Sequence, residues 1–262
     1  MNSSLLFSII GGVLPSLAWL WFWLRRDNES PEPTGLIAIS FLAGMIVVYF
    51  VLPLQKLIVF LLPIIMDMID IIAVKFSFIP PSEETTKIIL WASIEEIAKY
   101  TTVFFIAFHS KYFDEPIDAV MYLITAALGF AAAENILYLF TDLTTGTVLQ
   151  AINTGGLRFI GATIVHTISS AFIGIAIAFS FYKKYSIKFL SVTLGLIVAS
   201  LLHAQFNLAI IQANGTEDQL LTFFFYWLAA CIVLIIISII KHIKAPVNIP
   251  ELIKNSEIKI QE

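Results

Sequence analysis

Apolar residues run along this chain in seven stretches, each close to the ~20 residues that a helix needs to cross a membrane. An eighth apolar stretch, 54–74, contains Pro63, Asp67 and Asp70 and fits either a further span or a helix lying in the membrane interface. The pattern predicts an all-α fold, a polytopic membrane bundle of about seven or eight transmembrane helices. The seven predicted spans are 5–24, 35–53, 87–108, 117–141, 158–181, 188–211 and 219–240.

The composition supports a membrane protein and argues against several other classes. Hydrophobic residues make up 59% of the 262 residues, charged residues only 13%, and the mean hydropathy is +0.91. A soluble domain carries about 25% charged residues. The net charge is −4 and no long basic tract occurs, so nucleic acid is not an expected partner. A single cysteine, Cys231, provides no disulfide framework.

Lysine and arginine residues predict the orientation of the chain in the membrane. Three informative groups follow the first span at 25–26, separate two later spans at 183–188 and follow the last span at 241–244, whereas the connections 142–157 and 212–218 contain none. Because basic loops stay in the cytoplasm, we expect the C-terminus inside and the two connections without basic residues outside. If the eighth stretch does not cross, the N-terminus lies outside. The chain is then a multi-pass protein of the cell membrane.

Five ionisable residues lie inside the apolar spans, on four different helices. Each costs about 2.5–3.5 kcal/mol at the bilayer centre when it faces lipid, so we expect them to face one another in a polar cavity. In the predicted topology all five lie at a similar depth in the outer half of the membrane, roughly 12 Å from the outer end for the first pair. The five residues are Glu95, Glu96, Glu134, His166 and His203.

Helical spacing places a lysine beside two of these residues. Lys99 follows Glu95 by four residues and Glu96 by three, so it shares a helix face with both. An ion pair with one of the two carboxylates is therefore expected.

Spacing also suggests partners for the two histidines. Asn207 follows His203 by four residues, which places both side chains on one face. Ser169 and Ser170 follow His166 by three and four residues and are its expected orienting partners.

Four motifs in this part of the chain resemble, in order, those of the PrsW family of intramembrane proteases. They are E-E-x-x-K at 95–99, G-F-x-x-x-E-N-x-x-Y at 129–138, a histidine at 166 and H-x-x-x-N at 203–207. The family is part of a superfamily that also includes CAAX prenyl endopeptidases and bacteriocin-processing enzymes. No single motif is diagnostic, but the resemblance rests on four in sequence between about 87 and 210.

The resemblance implies an intramembrane endopeptidase, a hydrolase that cuts a peptide bond in or near the membrane. An outward-facing site suits site-one cleavage of a single-pass regulator such as an anti-sigma factor, a role known for some family members. The expected partners are a membrane-protein or peptide substrate and the lipid bilayer. The catalytic candidates are Glu95, Glu96, His166 and His203, with either glutamate as general base, and the supporting or oxyanion candidates are Lys99, Glu134, Asn135 and Asn207.

The motifs leave two possibilities for a cofactor. A zinc ion would find three ligands in His166, His203 and Glu134, with an open position for water. No H-E-x-x-H motif occurs, however, and the ligands would come from separate helices. The family is often described as metalloproteases, whereas some relatives in its superfamily have been interpreted as metal-free glutamate proteases. The pattern slightly favours metal-free catalysis.

Two other function classes fit part of the pattern. A proton-coupled membrane transporter also uses buried Glu and His residues, but transporters usually show repeated halves, and no internal repeat occurs here. A non-catalytic scaffold has no need of these ionisable residues. The expected organisation is 1–75 for the N-terminal spans and an interfacial or re-entrant helix, 76–212 for a catalytic four-helix core, and 213–262 for the last span and a cytoplasmic tail.

Overall fold

The computed structural model describes residues 3–26 and 31–244, and within these ranges the regular structure is entirely helical. The predicted all-α membrane bundle is confirmed. A π-helical turn, Arg158–Ala162, joins the fifth and sixth helices into one continuous element. The helices are α1 (Ser3–Leu24), α2 (Thr34–Phe76), α3 (Glu83–Ile106), α4 (Pro116–Thr145), α5 (Val148–Leu157), α6 (Thr163–Ser180), α7 (Tyr185–Gln212) and α8 (Thr216–Ile240).

Six helical stretches among the described residues are long and apolar enough to cross a membrane. They are α1, α2, α4, the continuous 148–180 element, α7 and α8. Helix α3 is also 24 residues long, but it carries the charged residues of the sequence motif at 95–99. All seven predicted spans therefore correspond to helices. The predicted cytoplasmic tail after residue 244 lies outside the described residues.

Helix α2 differs from the prediction because it does not break after residue 53. It runs for 43 residues, or about 65 Å at 1.5 Å per residue, and includes both 35–53 and 54–74. Pro53 and Pro63 lie inside it, where they remove backbone donors without ending the helix. The helix ends at Phe76 and is capped by Ser77, whose φ of 54° is left-handed, a common way to terminate a helix.

The predicted external connection at 142–157 is also mostly helical. Helix α4 continues to Thr145, and α5 begins after Thr147, whose side chain accepts a hydrogen bond from the backbone N–H of Gln150 at 3.1 Å. This is a standard N-terminal cap. The absence of lysine and arginine from this segment predicted an external connection, and the cap and the apolar residues that follow it build a helix.

Helix α4 forms the centre of the bundle and packs against α1, α2 and α6. It approaches α2 very closely, because two glycines meet at the crossing. A Cβ atom on Gly129 would lie 1.9 Å from the carbonyl oxygen of Phe41, and one on Gly44 would lie 2.1 Å from that of Ala126. Only glycine permits this approach of two backbones. The crossing brings α2 beside the part of α4 that carries the candidate site.

We expect Gly129→Ala to destabilise the protein, because the new methyl group overlaps backbone atoms of α2. Overpacking of this kind costs about 1–3 kcal/mol, and a rigid backbone neighbour places the effect at the upper end. Gly35→Ala, where nothing lies within 4 Å of the added atom, is the matched control. Thermal unfolding of both variants in detergent tests this; equal midpoints would contradict the close crossing.

Candidate active site

A cavity of about 450 Å³ lies between the helices and contains most of the predicted site residues. Glu95 of α3, Glu134 of α4, His166 of α6 and His203 of α7 all line it. The four helices thus bring their ionisable side chains together, as their common predicted depth indicated. Further walls come from α2, the π-helical turn and α8.

Glu96 lies behind the cavity wall and is completely buried. Its Oε1 atom is 2.7 Å from the ammonium of Lys99 and 2.9 Å from Nδ1 of His203. Its Oε2 atom accepts a hydrogen bond from Ser170 at 2.9 Å. Both carboxylate oxygens are therefore engaged, and Glu96 holds His203 so that the Nε2 atom of that ring faces Glu95.

Lys99 is also fully buried and joins Glu96 to the other histidine. Its ammonium lies 2.9 Å from Nδ1 of His166 and 4.7 Å from the ring centroid of Phe130. Because the ammonium can only donate, Nδ1 accepts and the proton of the neutral ring resides on Nε2. That nitrogen lies 2.9 Å from Oε2 of Glu134 and donates to it.

The prediction that two serines orient His166 is wrong. Ser170 bonds to Glu96, and Ser169 Oγ is buried without a hydrogen-bond partner among the described residues. The imidazole reaches across to α3 and α4 instead of back along its own helix. Lys99 and Glu134 therefore fix its orientation.

Arg158 is a cavity residue that the sequence reasoning missed. Its Nη2 atom donates to Oε2 of Glu134 at 2.9 Å, and its Nε donates to Oδ1 of Asn135 at 2.5 Å. The guanidinium also stacks on Tyr138, 3.9 Å from the ring centroid. Asn135 itself does not line the cavity; it donates to Thr163 at 3.2 Å and ties α4 to α6.

The π-helical turn explains why Arg158 reaches the site. The backbone N–H of Thr163 bonds to the carbonyl of Arg158, five residues earlier, and the threonine hydroxyl donates to the same oxygen at 3.0 Å. In a regular α-helix, residues eight apart differ by about 80° in direction. The extra residue of a π-turn removes about one 100° step, so Arg158 and His166 point to the same side. The feature of the sequence that could have indicated this site residue is a lone arginine eight residues before His166.

We expect Arg158→Met to slow cleavage by about 10²-fold, the scale of loss seen when site geometry shifts by an ångström. Arg158→Lys keeps the charge but not the two-pronged contact with Glu134 and Asn135, so its loss should be smaller. Lys87→Met removes another cationic side chain from the cavity wall and serves as the control. If all three variants cleave at the wild-type rate, a role for Arg158 in positioning Glu134 is contradicted.

Glu95 differs from the other two carboxylates because no lysine or arginine in the described part of the chain pairs with it. Its Oε1 atom accepts a hydrogen bond from the amide of Gln55 on α2 at 2.9 Å. Its Oε2 atom is buried and has no hydrogen-bond partner among the described residues. It lies 3.6 Å from Nε2 of His203. In the neutral form of that ring, Nδ1 donates to Glu96, and Nε2 carries a lone pair that faces Oε2 of Glu95.

Glu95, His166 and His203 form the group of possible metal ligands in the described part of the chain, with their donor atoms within 4.8 Å of one another. The carboxylate of this group is thus Glu95 and not Glu134, which the sequence had suggested. Glu95 and His203 each offer a free acceptor atom, but His166 does not. Lys99 occupies its Nδ1, and its protonated Nε2 points at Glu134. The hydrogen bonds around His166 therefore do not fit a zinc ligand.

Comparisons with known proteins agree with the motifs. The model of a family described as PrsW family intramembrane metalloprotease matches residues 32–237. The protein named Protease PrsW of Geobacillus kaustophilus is 28% identical over 148 residues, which are 56% of this chain and 59% of that protein. The protein of the same name from Bacillus subtilis is 22% identical over 227 residues, 85% of this chain and 92% of that protein. No solved structure is significantly similar to this chain.

The range matched by the family model contains every residue of the site described above, including Gln55 and Arg158. A third relative, Protease PrsW of Oceanobacillus iheyensis, is 26% identical over 196 residues, 75% of this chain and 79% of that protein. The predicted family and protease class are confirmed. The alternative of a proton-coupled transporter is therefore not pursued. With its helical membrane bundle and this match over most of its length, the chain belongs to the PrsW family of intramembrane proteases.

Proposed function

We propose that this protein hydrolyses a peptide bond of a membrane-protein substrate in the cavity, with Glu95 as the general base. The distribution of charge in the site carries this assignment. Lys99 balances Glu96, and Arg158 balances Glu134. Among the described residues, no lysine or arginine pairs with Glu95, and its neighbours are Gln55 and the imidazole of His203. A carboxylate without such a cationic partner is suited to take a proton from water.

In the proposed reaction the hydrolytic water lies in the cavity, which Glu95 and His203 both line. As its oxygen attacks the substrate carbonyl carbon, one O–H bond breaks and the proton moves to Glu95. The carbonyl oxygen becomes an oxyanion, for which Asn207 and Arg158 provide N–H donors on the cavity wall. The C–N bond then breaks, and Glu95 returns the proton to the leaving amine.

Glu96, His166 and Lys99 act by positioning in this mechanism. Glu96 keeps His203 in the tautomer that leaves Nε2 free, and Lys99 keeps Glu96 ionised next to it. His166 orients Glu134. Of the two neighbouring glutamates, we therefore propose Glu95 as the general base.

The proposed reaction is metal-free. We expect cleavage to persist in the presence of a strong chelator and in protein stripped of metal. Loss of activity on chelation, with recovery on adding zinc alone, would contradict metal-free catalysis.

We further propose that the site faces the outside of the cell and that the substrate is a single-pass regulator such as an anti-sigma factor. The distribution of lysine and arginine supports an external N-terminus and a cytoplasmic C-terminus. Incubating the purified protein with a panel of single-pass membrane proteins in vesicles tests the reaction and its substrate. Cleavage of an extracellular juxtamembrane segment is expected. No cleavage of any panel member by the folded protein would count against the proposal.

A further inference from the structure

We propose that one part of the cavity is a specificity pocket that binds a large apolar side chain of the substrate beside the scissile bond. We call this part the apolar subsite. The inference rests on the proposed protease function and adds the chemistry of the residue that the enzyme selects. Five apolar side chains from the continuous 148–180 element, α7 and α8 form the apolar subsite. They are Ala162, Val165, Phe206, Ile210 and Phe223.

Helix α7 carries catalytic and apolar side chains on one face. Four of its residues line the cavity at successive steps of three, one and three positions, which keeps them on the same side of a helix. They are His203, Phe206, Asn207 and Ile210. Along the helix axis, Phe206 lies about 4.5 Å beyond His203, and Ile210 lies about 10.5 Å beyond it. The apolar subsite therefore begins directly beside the groups proposed to act in catalysis.

The helix before α7 supplies a second wall of the apolar subsite. Helices α6 and α7 pack together and are joined by the short connection 181–184, so they run antiparallel. The rings of His166 and His203 meet with their centroids 4.7 Å apart. Residues before His166 and residues after His203 therefore lie on the same side of these rings. Ala162 and Val165 precede His166 and thus lie opposite the apolar end of α7.

Aromatic contacts fix the wall that α7 and α8 form. The ring of Phe223 stacks on that of Phe206, with 6.1 Å between centroids and 24° between planes. Tyr226 meets Phe206 edge-on at 4.9 Å, and its hydroxyl donates a hydrogen bond to the backbone carbonyl of Leu202. Phe206 and Phe223 are only 4% and 6% exposed, although both line the cavity. The two rings therefore face the interior of the bundle and keep a fixed position.

The apolar subsite separates two polar parts of the cavity. Glu95 and the two histidines lie on one side of it, and Glu84 and Lys87, near the start of α3, lie on the other. The five subsite side chains contain no atom that donates or accepts a strong hydrogen bond. A charged side chain placed there would lose its hydration without gaining a partner, whereas a leucine would gain apolar contacts. We therefore expect selection for a large apolar residue next to the scissile bond.

Gly161 in the π-helical turn determines where Phe223 lies, and thereby the shape of the apolar subsite. A Cβ atom on Gly161 would lie 2.3 Å from Cε1 of Phe223 and 2.9 Å from Cδ1 and Cζ. An alanine at this position must displace the ring. Because the ring lines the cavity, its displacement changes the space that receives the substrate side chain.

Photo-crosslinking of a peptide to Glu95→Gln protein tests the proposal without depending on cleavage. The probe is a short biotinylated peptide whose central residue is a diazirine analogue of leucine, and mass spectrometry locates the captured residues. Unlabelled peptides that carry Leu or Asp at the same position compete with the probe. We expect capture on the subsite residues and competition by the Leu peptide that is about tenfold stronger, or more, than competition by the Asp peptide.

Two variants test whether the shape of the apolar subsite controls binding. We expect Gly161→Ala to lower capture several-fold, with Gly156→Ala as the matched control, because nothing lies within 4 Å of the atom added there. Adding Phe223→Leu to Gly161→Ala should recover part of the capture, since the smaller side chain leaves room for the methyl group. Ile210→Phe fills the subsite from α7 and should also lower capture, so the test holds if Gly161→Ala does not fold.

Three results would overturn the apolar subsite. They are capture away from the subsite residues, equal competition by the Leu and Asp peptides, and undiminished capture in folded Gly161→Ala or Ile210→Phe protein. Failure of the protease assignment has a different signature, in which the subsite captures the peptide but the wild type cleaves no substrate. Conversely, wild-type cleavage at equal rates with Leu, Ala or Asp on either side of the scissile bond would refute the subsite alone.

Discussion

Glu95→Gln is expected to reduce cleavage by about 10²–10⁴-fold, the range that general acid–base catalysis contributes. The amide has nearly the shape of the carboxylate, so Gln55 still contacts it, but it cannot take a proton from water. Folding should change little, because Oε2 of Glu95 makes no hydrogen bond to a described residue that the amide would break. Cleavage rates and thermal unfolding midpoints of wild-type and Glu95→Gln protein, measured side by side, test both statements.

The control for this prediction is Gln55→Leu, which removes the neutral donor from Glu95 but keeps the carboxylate. We expect it to lower the rate less than Glu95→Gln does, because orientation is lost while the base remains. A Glu95→Gln enzyme that retains wild-type turnover would rule out Glu95 as the base. A Gln55→Leu enzyme that is as slow as Glu95→Gln would place the catalytic effect in orientation instead of proton transfer.

Glu96→Gln is expected to act mainly on stability. It leaves the ammonium of Lys99 buried without its counter-ion, and breaking a buried ion pair by removing one partner costs about 3–5 kcal/mol. Lys99→Met should cost a similar amount, because it leaves the carboxylate of Glu96 without its cation. The double variant should lose less than the sum of the two, since neither charge remains.

Glu84 and Lys87 provide a matched control pair for this cycle. They lie on the same helix with the same spacing of three residues, but at its exposed end. Exposed pairs contribute about 0–1 kcal/mol, so Glu84→Gln and Lys87→Met should be nearly neutral and additive. Free energies of unfolding in mixed micelles decide the matter. Additive losses for Glu96→Gln and Lys99→Met would show that the pair is not coupled.

The sequence predicted the main members of the site because ionisable residues in apolar helices avoid lipid by facing other polar groups. Glu95, Glu134, His166 and His203 stand out against their surroundings, and the cost of exposing them to lipid requires a common cavity. The pairing of Lys99 with Glu96 could also be predicted, since residues three apart on a helix are neighbours. These inferences need only helix geometry and the energetics of charge in a membrane.

Contacts that depend on how helices cross could not be predicted from the sequence in this way. Gln55 lies 40 residues before Glu95 in an apolar helix, and the packing of α2 on α3 brings it to the site. Arg158 faces the cavity because of one extra residue in a π-helical turn, which hydrophobic periodicity does not reveal. Ser170 follows His166 by one turn but bonds to Glu96, because the imidazole points away from its own helix.

The most direct test of the central claim is cleavage of a single-pass substrate in water enriched in ¹⁸O. Purified wild-type and Glu95→Gln protein are compared, and the new termini are analysed by mass spectrometry. We predict that the wild type produces a new carboxyl terminus that contains one ¹⁸O atom and that Glu95→Gln yields almost no product. Equal product from both proteins, or intact substrate after incubation with the folded wild type, would contradict glutamate-dependent hydrolysis at this site.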